Sequence, residues 1–386
     1  MSTILYNTFD LILLVTIYQC LLFAFFLVTL KKGNRQSNIL LALFLLSHAA
    51  IPLDTLINFG EAFREYAISI SPNIFYVFGS AYWLESVLML FYVRSLVYKN
   101  YVIGKRELLY FLPFVVYCLY ELFSWYLLDH QTKISLLTNY QLAEEPAHTR
   151  YITLFRECFR MFCGVMCLLE IRNYHRKIKD QMASIEEVDL TWLRILVIGF
   201  SFIRFIAILI ALSLIFSFQL HITIDFEALG LIANFSTMAL IGFLIFFSLG
   251  FSNIFSGIEQ ESLQSNSKET LDPALKNTLL THMKEKQPFL DHLLTLDVLA
   301  RQIALPSRTL SQLINREFSL NFYEFINGYR IEESKRLLVD ASSPKISVIE
   351  VMDRSGFNSK ATFNTFFKKL TGLTPTQFRR ENKKVN

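Results

Sequence analysis

Several ionisable residues lie inside stretches that are otherwise apolar, among them Asp54, Glu85, Glu121, Arg156, Glu157, Arg160 and Arg204. A charge in hydrocarbon costs at least ~2.5 kcal/mol on insertion scales, so such side chains turn toward the protein interior and mark function or pairing. Glu85, Arg160 and Arg204 are expected near the middle of their stretches, and Asp54, Glu121, Arg156 and Glu157 toward the outer half. Arg156 and Arg160 are four residues apart and share one helix face, where two guanidinium groups suit a carboxylate or phosphate entering from outside. Four acids and three arginines also neutralise one another, so a network that only holds helices together is an equal reading.

A second set of polar residues lies near the C-terminus. In "SRTLSQLINREF" helical spacing turns Leu310, Leu313 and Ile314 inward and Arg308, Ser311, Gln312, Asn315 and Arg316 outward. In "NSKATFNTFFKKLTG" Phe363, Phe366 and Phe367 turn inward, and Ser359, Lys360, Asn364, Lys368 and Lys369 outward, with Arg379 soon after. These are the residue types that read base edges and phosphates. One such face alone is equally a solvated helix surface; two in tandem are a stronger signal.

The elements that must position the first set are membrane spans. The chain of 386 residues is 53% hydrophobic and only 18% charged, with 37 phenylalanines, far from a soluble average. Seven runs are long enough to cross a bilayer as helices, since ~20 residues span its ~30 Å core. They are Thr8 to Leu30, Ser37 to Asn58, Pro72 to Tyr98, Glu107 to Leu128, Tyr151 to Ile171, Trp192 to Phe218 and Phe226 to Phe251. No basic residue precedes the first, so it is expected to stay as a span. The odd-numbered connections hold Lys31, Lys32, Arg35, Lys99, Lys105, Arg106, Arg172, Arg176, Lys177 and Lys179, and outnumber the even ones, which hold Arg64 and Lys133 beside Glu144 and Glu145. The excess of cations predicts a cytoplasmic side for the odd connections, an outside N-terminus and a cytoplasmic C-terminus. From Phe289 onward there are 15 Lys/Arg against 10 Asp/Glu, so the basic surplus lies in the tail.

The tail reads as all-helical. Thr295 is an expected N-cap with Asp297 in the first turn behind it, and Ser307 an expected cap of the next helix after a turn at Ala304 to Pro306. The pattern repeats: "ISVIEVMDRSGF", a turn at Gly356, a helix capped by Asn358 or Ser359, a stop at Gly372 and a last helix from Pro375. Between the copies, "NFYEFINGYRIEESKRLLV" is an amphipathic helix of about 17 residues, roughly 25 Å long. Such a connector sets two reading helices about one DNA turn, ~34 Å, apart on one face of a duplex.

From about Pro288 to Arg380 the chain resembles the AraC/XylS-type DNA-binding domain, two helix-turn-helix units joined by a long helix. "GFNSKATFNTFFKKLTGLTP", followed by Phe378 and Arg379, carries the likeness, with "LSQLINREFSLNFYEFINGYRIEESKRLL" as first reader and linker. Three positions depart from the family pattern: Met352 where a small Ala is usual, Ser355 where an apolar residue is usual, and Ala304 in a turn where Gly is common. The last costs ~1 kcal/mol if positive φ is required. The resemblance implies promoter DNA as partner, binding often as a homodimer, and contact with RNA polymerase. It covers a quarter of the chain.

The whole is expected to be all-α: a seven-helix membrane sensor at 1–251, a linker and lead-in helix at 252–287, and the DNA-binding domain at 288–386. It would sit in a bacterial cytoplasmic membrane, with lipid and an unidentified signal ligand as further partners. The segment after Phe251, with Ile254, Ile258 and Ser262 on one side, is expected to pass the signal to the tail. No cofactor or metal motif is read. Cys163 and Cys167 share a face but lack further ligands nearby, and small residues for helix packing is the better account of the five cysteines. The chain has no HExxH, phosphate loop or GxSxG, so an enzyme is not expected. A transporter or intramembrane enzyme with a regulatory tail is the alternative, and a protein-binding tail that no longer reads DNA another.

Overall fold

The computed structural model describes residues 7–29, 34–99, 101–138, 147–185, 190–220, 226–251, 273–339 and 346–382. They divide into two compact units, Met1–Arg172 with Leu190–Gln260, and Asn173–Asp189 with Glu261–Asn386. Regular structure in both is helical.

The first unit holds α1 (Thr8–Thr29), α2 (Arg35–Phe59), α3 (Glu61–Ile70), α4 (Ala81–Val97), α5 (Leu112–Glu121), α6 (His130–Thr138), most of α7 (Ala147–Gln181), α8 (Thr191–Leu220) and α9 (Phe226–Phe251). Among the described residues four helical stretches are long and apolar enough to cross a membrane: Thr8–Thr29, Arg35–Phe59, Glu107–Tyr126 and Thr191–Phe216. Seven spans were expected, and the other three depart for separate reasons. The run from Pro72 begins with a 3-10 turn at Pro72–Ile74 and further turns through Ser80, with Tyr76 at φ 65, so α4 starts only at Ala81 and has 17 residues. The fifth lies in α7, whose Arg156, Glu157, Arg160 and Glu170 interrupt its apolar pattern. The seventh is α9, of which the described apolar part is the shorter Ile232–Phe247.

Arg64 and Lys133, expected as loop cations, are internal staples instead. Arg64 donates to the carbonyls of Asn58 at 2.7 Å and Leu137 at 2.8 Å and lies over the Phe75 ring. Lys133, only 5% exposed, donates to Asn73 Oδ1 and the Tyr126 carbonyl. They close a small apolar cluster of Ile57, Ala67, Phe75, Trp125 and Leu137.

The second unit takes the end of α7 and residues 182–185, then α10 (Pro273–Lys286), α11 (Leu296–Gln302), α12 (Ser307–Phe318), α13 (Phe322–Val339), α14 (Val348–Arg354), α15 (Lys360–Thr371) and α16 (Pro375–Asn382). Thr295 caps α11 by accepting from the Val298 N–H, and Ser359 caps α15 by accepting from Thr362. Ser307 does not cap α12: Pro306, whose ring presets φ near −62, takes the cap position without a side-chain bond, and Ser307 is the first helical residue. Gly372 ends α15 at φ 76, as its spacing implies. The segment after Phe251, including Ile254, Ile258 and Ser262, lies outside the described residues.

Two cores hold this unit. Leu279, Met283, Phe289, Leu299, Leu310, Leu313, Ile314 and Phe325 form the first; Ile331, Val351, Phe357, Phe363 and Phe367 form the second, with Phe378 against it. Helix α13 contributes to both, so its 18 residues, about 27 Å, fix the spacing of α12 and α15.

Candidate nucleic-acid interface and buried charge cluster

Helix α12 buries Leu310, Leu313 and Ile314, leaving Arg308, Asn315 and Arg316 exposed and Ser311 and Gln312 half-buried beside them. Helix α15 buries Phe363, Phe366 and Phe367 and exposes Lys360, Asn364, Lys368 and Lys369. Two of the expected readers are already engaged. The Ser359 hydroxyl serves as the cap of α15, and Lys369 Nζ contacts Glu324 Oε1 on α13 at 3.1 Å. Arg379 is half-buried, with its Nη2 enclosed. Ala361 and Thr365 lie exposed on α15 between the lysines, and short side chains of this kind carry too little signal to be singled out from sequence.

The turns that aim these helices are backbone devices. Gly356 has φ 86, and a Cβ there would lie 2.5 Å from the Phe289 carbonyl oxygen and 2.8 Å from that of Leu290, so only glycine fits the approach. Ala304 stands at φ 54, the conformation that favours glycine. Ser355, fully buried, donates its hydroxyl to the Val351 carbonyl at 2.8 Å, and so is satisfied where an apolar residue is usual.

One residue ties the unit together, and sequence spacing did not single it out. Arg330 on α13 is 1% exposed and donates to Phe289 O at 2.7 Å, Asp291 O at 2.9 Å, Ala183 O at 3.1 Å, Ser184 Oγ at 3.2 Å and Asn327 Oδ1 at 3.2 Å. Asn327, fully buried, donates to Ala183 O at 3.2 Å and Tyr323 O at 2.8 Å. The Ala183 N–H donates in turn to Leu294 O at 3.1 Å, and Met182 bridges Thr295. Ala183 belongs to the first core and Ile185 packs on the second. Asn327, Arg330 and Ser334 at helical spacing, all buried, were the available sign that this face of α13 is polar by design.

In the first unit, five of the seven intramembrane candidates form one ion cluster. Arg160, 2% exposed, pairs with Glu85 on α4 and with Glu157 at 3.2 Å. Glu157 is shared with Arg156 at 3.0 Å and with Arg204 on α8 at 3.4 Å. Arg156 lies 4.1 Å and Arg160 5.3 Å from the Tyr82 ring centre. Asp54 and Glu121 lie outside these pairs. His48 joins the cluster through Glu85 Oε1 at 2.7 Å, and neither it nor Tyr82 was picked out from sequence. A second group was missed as well: Arg94 pairs with Glu170 at 2.9 Å and Glu107 at 3.0 Å, and Tyr98 donates to Glu170 at 2.7 Å. A cavity of about 620 Å³ borders the first cluster, lined by His48, Tyr82, Glu157, Arg160 and Arg204 on one side and by residues of α1, α2, α8 and α9 elsewhere, mostly apolar but with Asn234, Ser236 and Thr237 among them.

Residues 299–381 match the model of a helix-turn-helix domain family. The C-terminal unit carries an AraC-type helix-turn-helix DNA-binding domain. The uncharacterized HTH-type transcriptional regulator YtdP of Bacillus subtilis is 27% identical over 92 residues, 24% of this chain and 12% of that protein. The Msm operon regulatory protein of Streptococcus mutans is 29% identical over 83 residues, 22% of this chain and 29% of that protein. The likeness thus spans well under half of either relative. No solved structure matches.

Proposed function

We propose that the chain is a membrane-bound one-component transcription regulator: its helical first unit perceives a signal and its AraC-type domain binds promoter DNA. The observation that carries this is the presence, on one chain, of four membrane-length apolar helices and two polar reading helices set by one rigid connector. The base readers in this reading are Arg308, Ser311, Gln312, Asn315, Asn364 and Lys360, with Arg316, Lys368, Lys369 and Arg379 on phosphates and Ser359 holding the start of α15. In this reading α12 and α15 dock in successive major grooves, spaced by α13. RNA polymerase and a second copy of the chain are the expected protein partners at the promoter.

In this reading α4, α7 and α9 cross the membrane beside the four long helices, an odd number in all, so that the cation-rich residues 31–35, 99–106 and 172–179 face the cytoplasm with the DNA-binding unit and the N-terminus lies outside. α4 and α7 take their charges inward onto one another, which lets them pack among the apolar helices of a cytoplasmic membrane. The sensor in this reading is the cluster of Glu85, Arg156, Glu157, Arg160 and Arg204, with Asp54 and Glu121 flanking it.

The test is a gel shift and footprint with the full chain in lipid nanodiscs at several salt concentrations. Protection of two adjacent major grooves, with affinity falling steeply as salt rises, is expected. Equal affinity for promoter and random DNA would refute the reading.

A further inference from the structure

We propose that the cavity beside the charge cluster binds an amphiphile with a single negative charge, a carboxylate on an apolar body, its charged end on Arg204 and Arg160. The inference rests on the first unit being the sensor. At about 620 Å³ the space has the size of a small-molecule site, and its charged side chains stand beside walls that are mostly apolar, with a few neutral polar groups such as Thr55 and Asn234. The charged side chains that reach it are Arg160, Arg204 and Glu157, a net of one positive charge. Its remaining walls include Ile195, Phe202, Ile206, Ile210, Ile232 and Phe243, which no hydrophilic ligand would need.

The carboxylates already there are oversubscribed. Glu157 serves three arginines, and the contact with Arg204 is the longest, at 3.4 Å, through one nitrogen. Arg160 Nε is enclosed without a hydrogen-bond partner although the residue is 2% exposed. Buried guanidinium groups in this condition favour an incoming planar anion that accepts two bonds. One carboxylate brings the lining to neutrality. A phosphate monoester, with about −1.5 to −2 charges at neutral pH, would leave an excess of buried negative charge, so the carboxylate is favoured.

The probe is a series of saturated fatty acids from octanoate to palmitate, with the alcohols and alkyl phosphates of the same lengths, titrated onto the full chain in phosphatidylcholine nanodiscs. A member of the acid series should bind saturably and at least about tenfold more tightly than its alcohol and its phosphate. Arg204→Gln should abolish that preference. Ala239→Phe, which fills the cavity from α9, the helix that carries none of the cluster residues, should weaken acid and alcohol alike. Abundance and the thermal midpoint of each variant in nanodiscs report that the first unit remains folded. Non-saturating uptake, equal binding of acid and alcohol, a preference for the phosphate, or an Arg204→Gln protein that keeps its preference would each overturn the proposal. Saturable acid binding that leaves promoter affinity unchanged would instead retain the ligand and remove the sensor reading.

A separate observation carries a second inference. We propose that residues 182–185 are the segment that couples α7 to the DNA-reading unit. Helix α7 runs without interruption from the residues of the charge cluster, Glu157 and Arg160, to Gln181, and the next residues enter both cores of the second unit. From Arg160 to Gln181 the helix covers about 31 Å. A rotation or shift of its last turn would move the Ala183 carbonyl on which Arg330 and Asn327 close, and with it the setting of α13 against Phe289 and Asp291. Two glycines inserted after Gln181 should fix reporter output at a value several-fold from that of the parent, with abundance held. The same insertion after Ser265 should leave output within about twofold. Replacement of Asp180 and Gln181 by glycine gives the same break without added length. Unchanged output after both breaks in α7, or a larger change from the Ser265 insertion, would overturn the assignment.

Discussion

At the scale of single residues, position on a helix separates groups of similar chemistry. Asn364 and Lys368 are both exposed on α15, four residues apart. An amide of this kind recognises a base edge, whereas a lysine near the helix end neutralises a phosphate. Asn364→Ala is therefore expected to relax specificity at one base pair by about 1 to 3 kcal/mol. Lys368→Ala should weaken all sequences alike and lower the salt slope by about one. Competition gel shifts with single-base variants distinguish the two, and identical behaviour would remove the assignment. Arg330 acts inward. Its loss leaves the carbonyls of Phe289, Asp291 and Ala183 short of a donor inside a packed unit, at about 1–3 kcal/mol for each that water does not reach. Arg330→Ala should lower the thermal midpoint of the second unit steeply, and Arg330→Lys, which cannot span these acceptors in a fork, should restore only part.

Among the elements, short-range patterns were legible and long-range ones were not. The two helix-turn-helix units follow from local spacing: caps at Thr295 and Ser359, a stop at Gly372 and phenylalanines at helical intervals. The Ser307 cap failed because a neighbouring proline presets the same backbone more cheaply. The third expected span failed because apolarity alone does not reveal the turns between Pro72 and Ser80. The pairing of Glu85 with Arg160, 75 residues apart, was readable as chemistry, since charge must find charge in oil, but His48 and Tyr82 were not, being ordinary in any helix. The departure at Ala304 was legible too, and its φ of 54 makes the cost real. Ala304→Gly should stabilise the second unit by roughly 1 kcal/mol. Gly356→Ala should do the reverse by more, because strain and a 2.5 Å approach to the Phe289 oxygen add. Denaturant midpoints of the paired variants test both signs.

For the whole molecule, charge asymmetry predicts the sidedness that the proposed mechanism requires. A reporter active only outside the cytoplasm should be active when fused after Glu145 and silent after Lys179. The reverse would part the second unit from DNA. Arg64 and Lys133 strengthen this expectation, for both are occupied by internal hydrogen bonds and so carry little weight as loop charges on the sparse side.

Ala183 and Ile185 also decide what can be cut away. They reach the two cores from a stretch of chain that ends almost ninety residues before α10 begins, so a protease acting between Phe251 and Pro273 would liberate a tail stripped of two core side chains and of the carbonyl that Arg330 and Asn327 share. The freed tail would keep its reading helices but lose stability, and the domain is in this sense split across the chain rather than appended to it. A fragment starting at Pro273 should melt at a lower temperature than the same fragment mixed with a peptide covering residues 173–189, and the peptide with Ala183→Asp should give no such rescue. An activation scheme based on releasing the tail would have to carry that loss; one that keeps the chain whole does not.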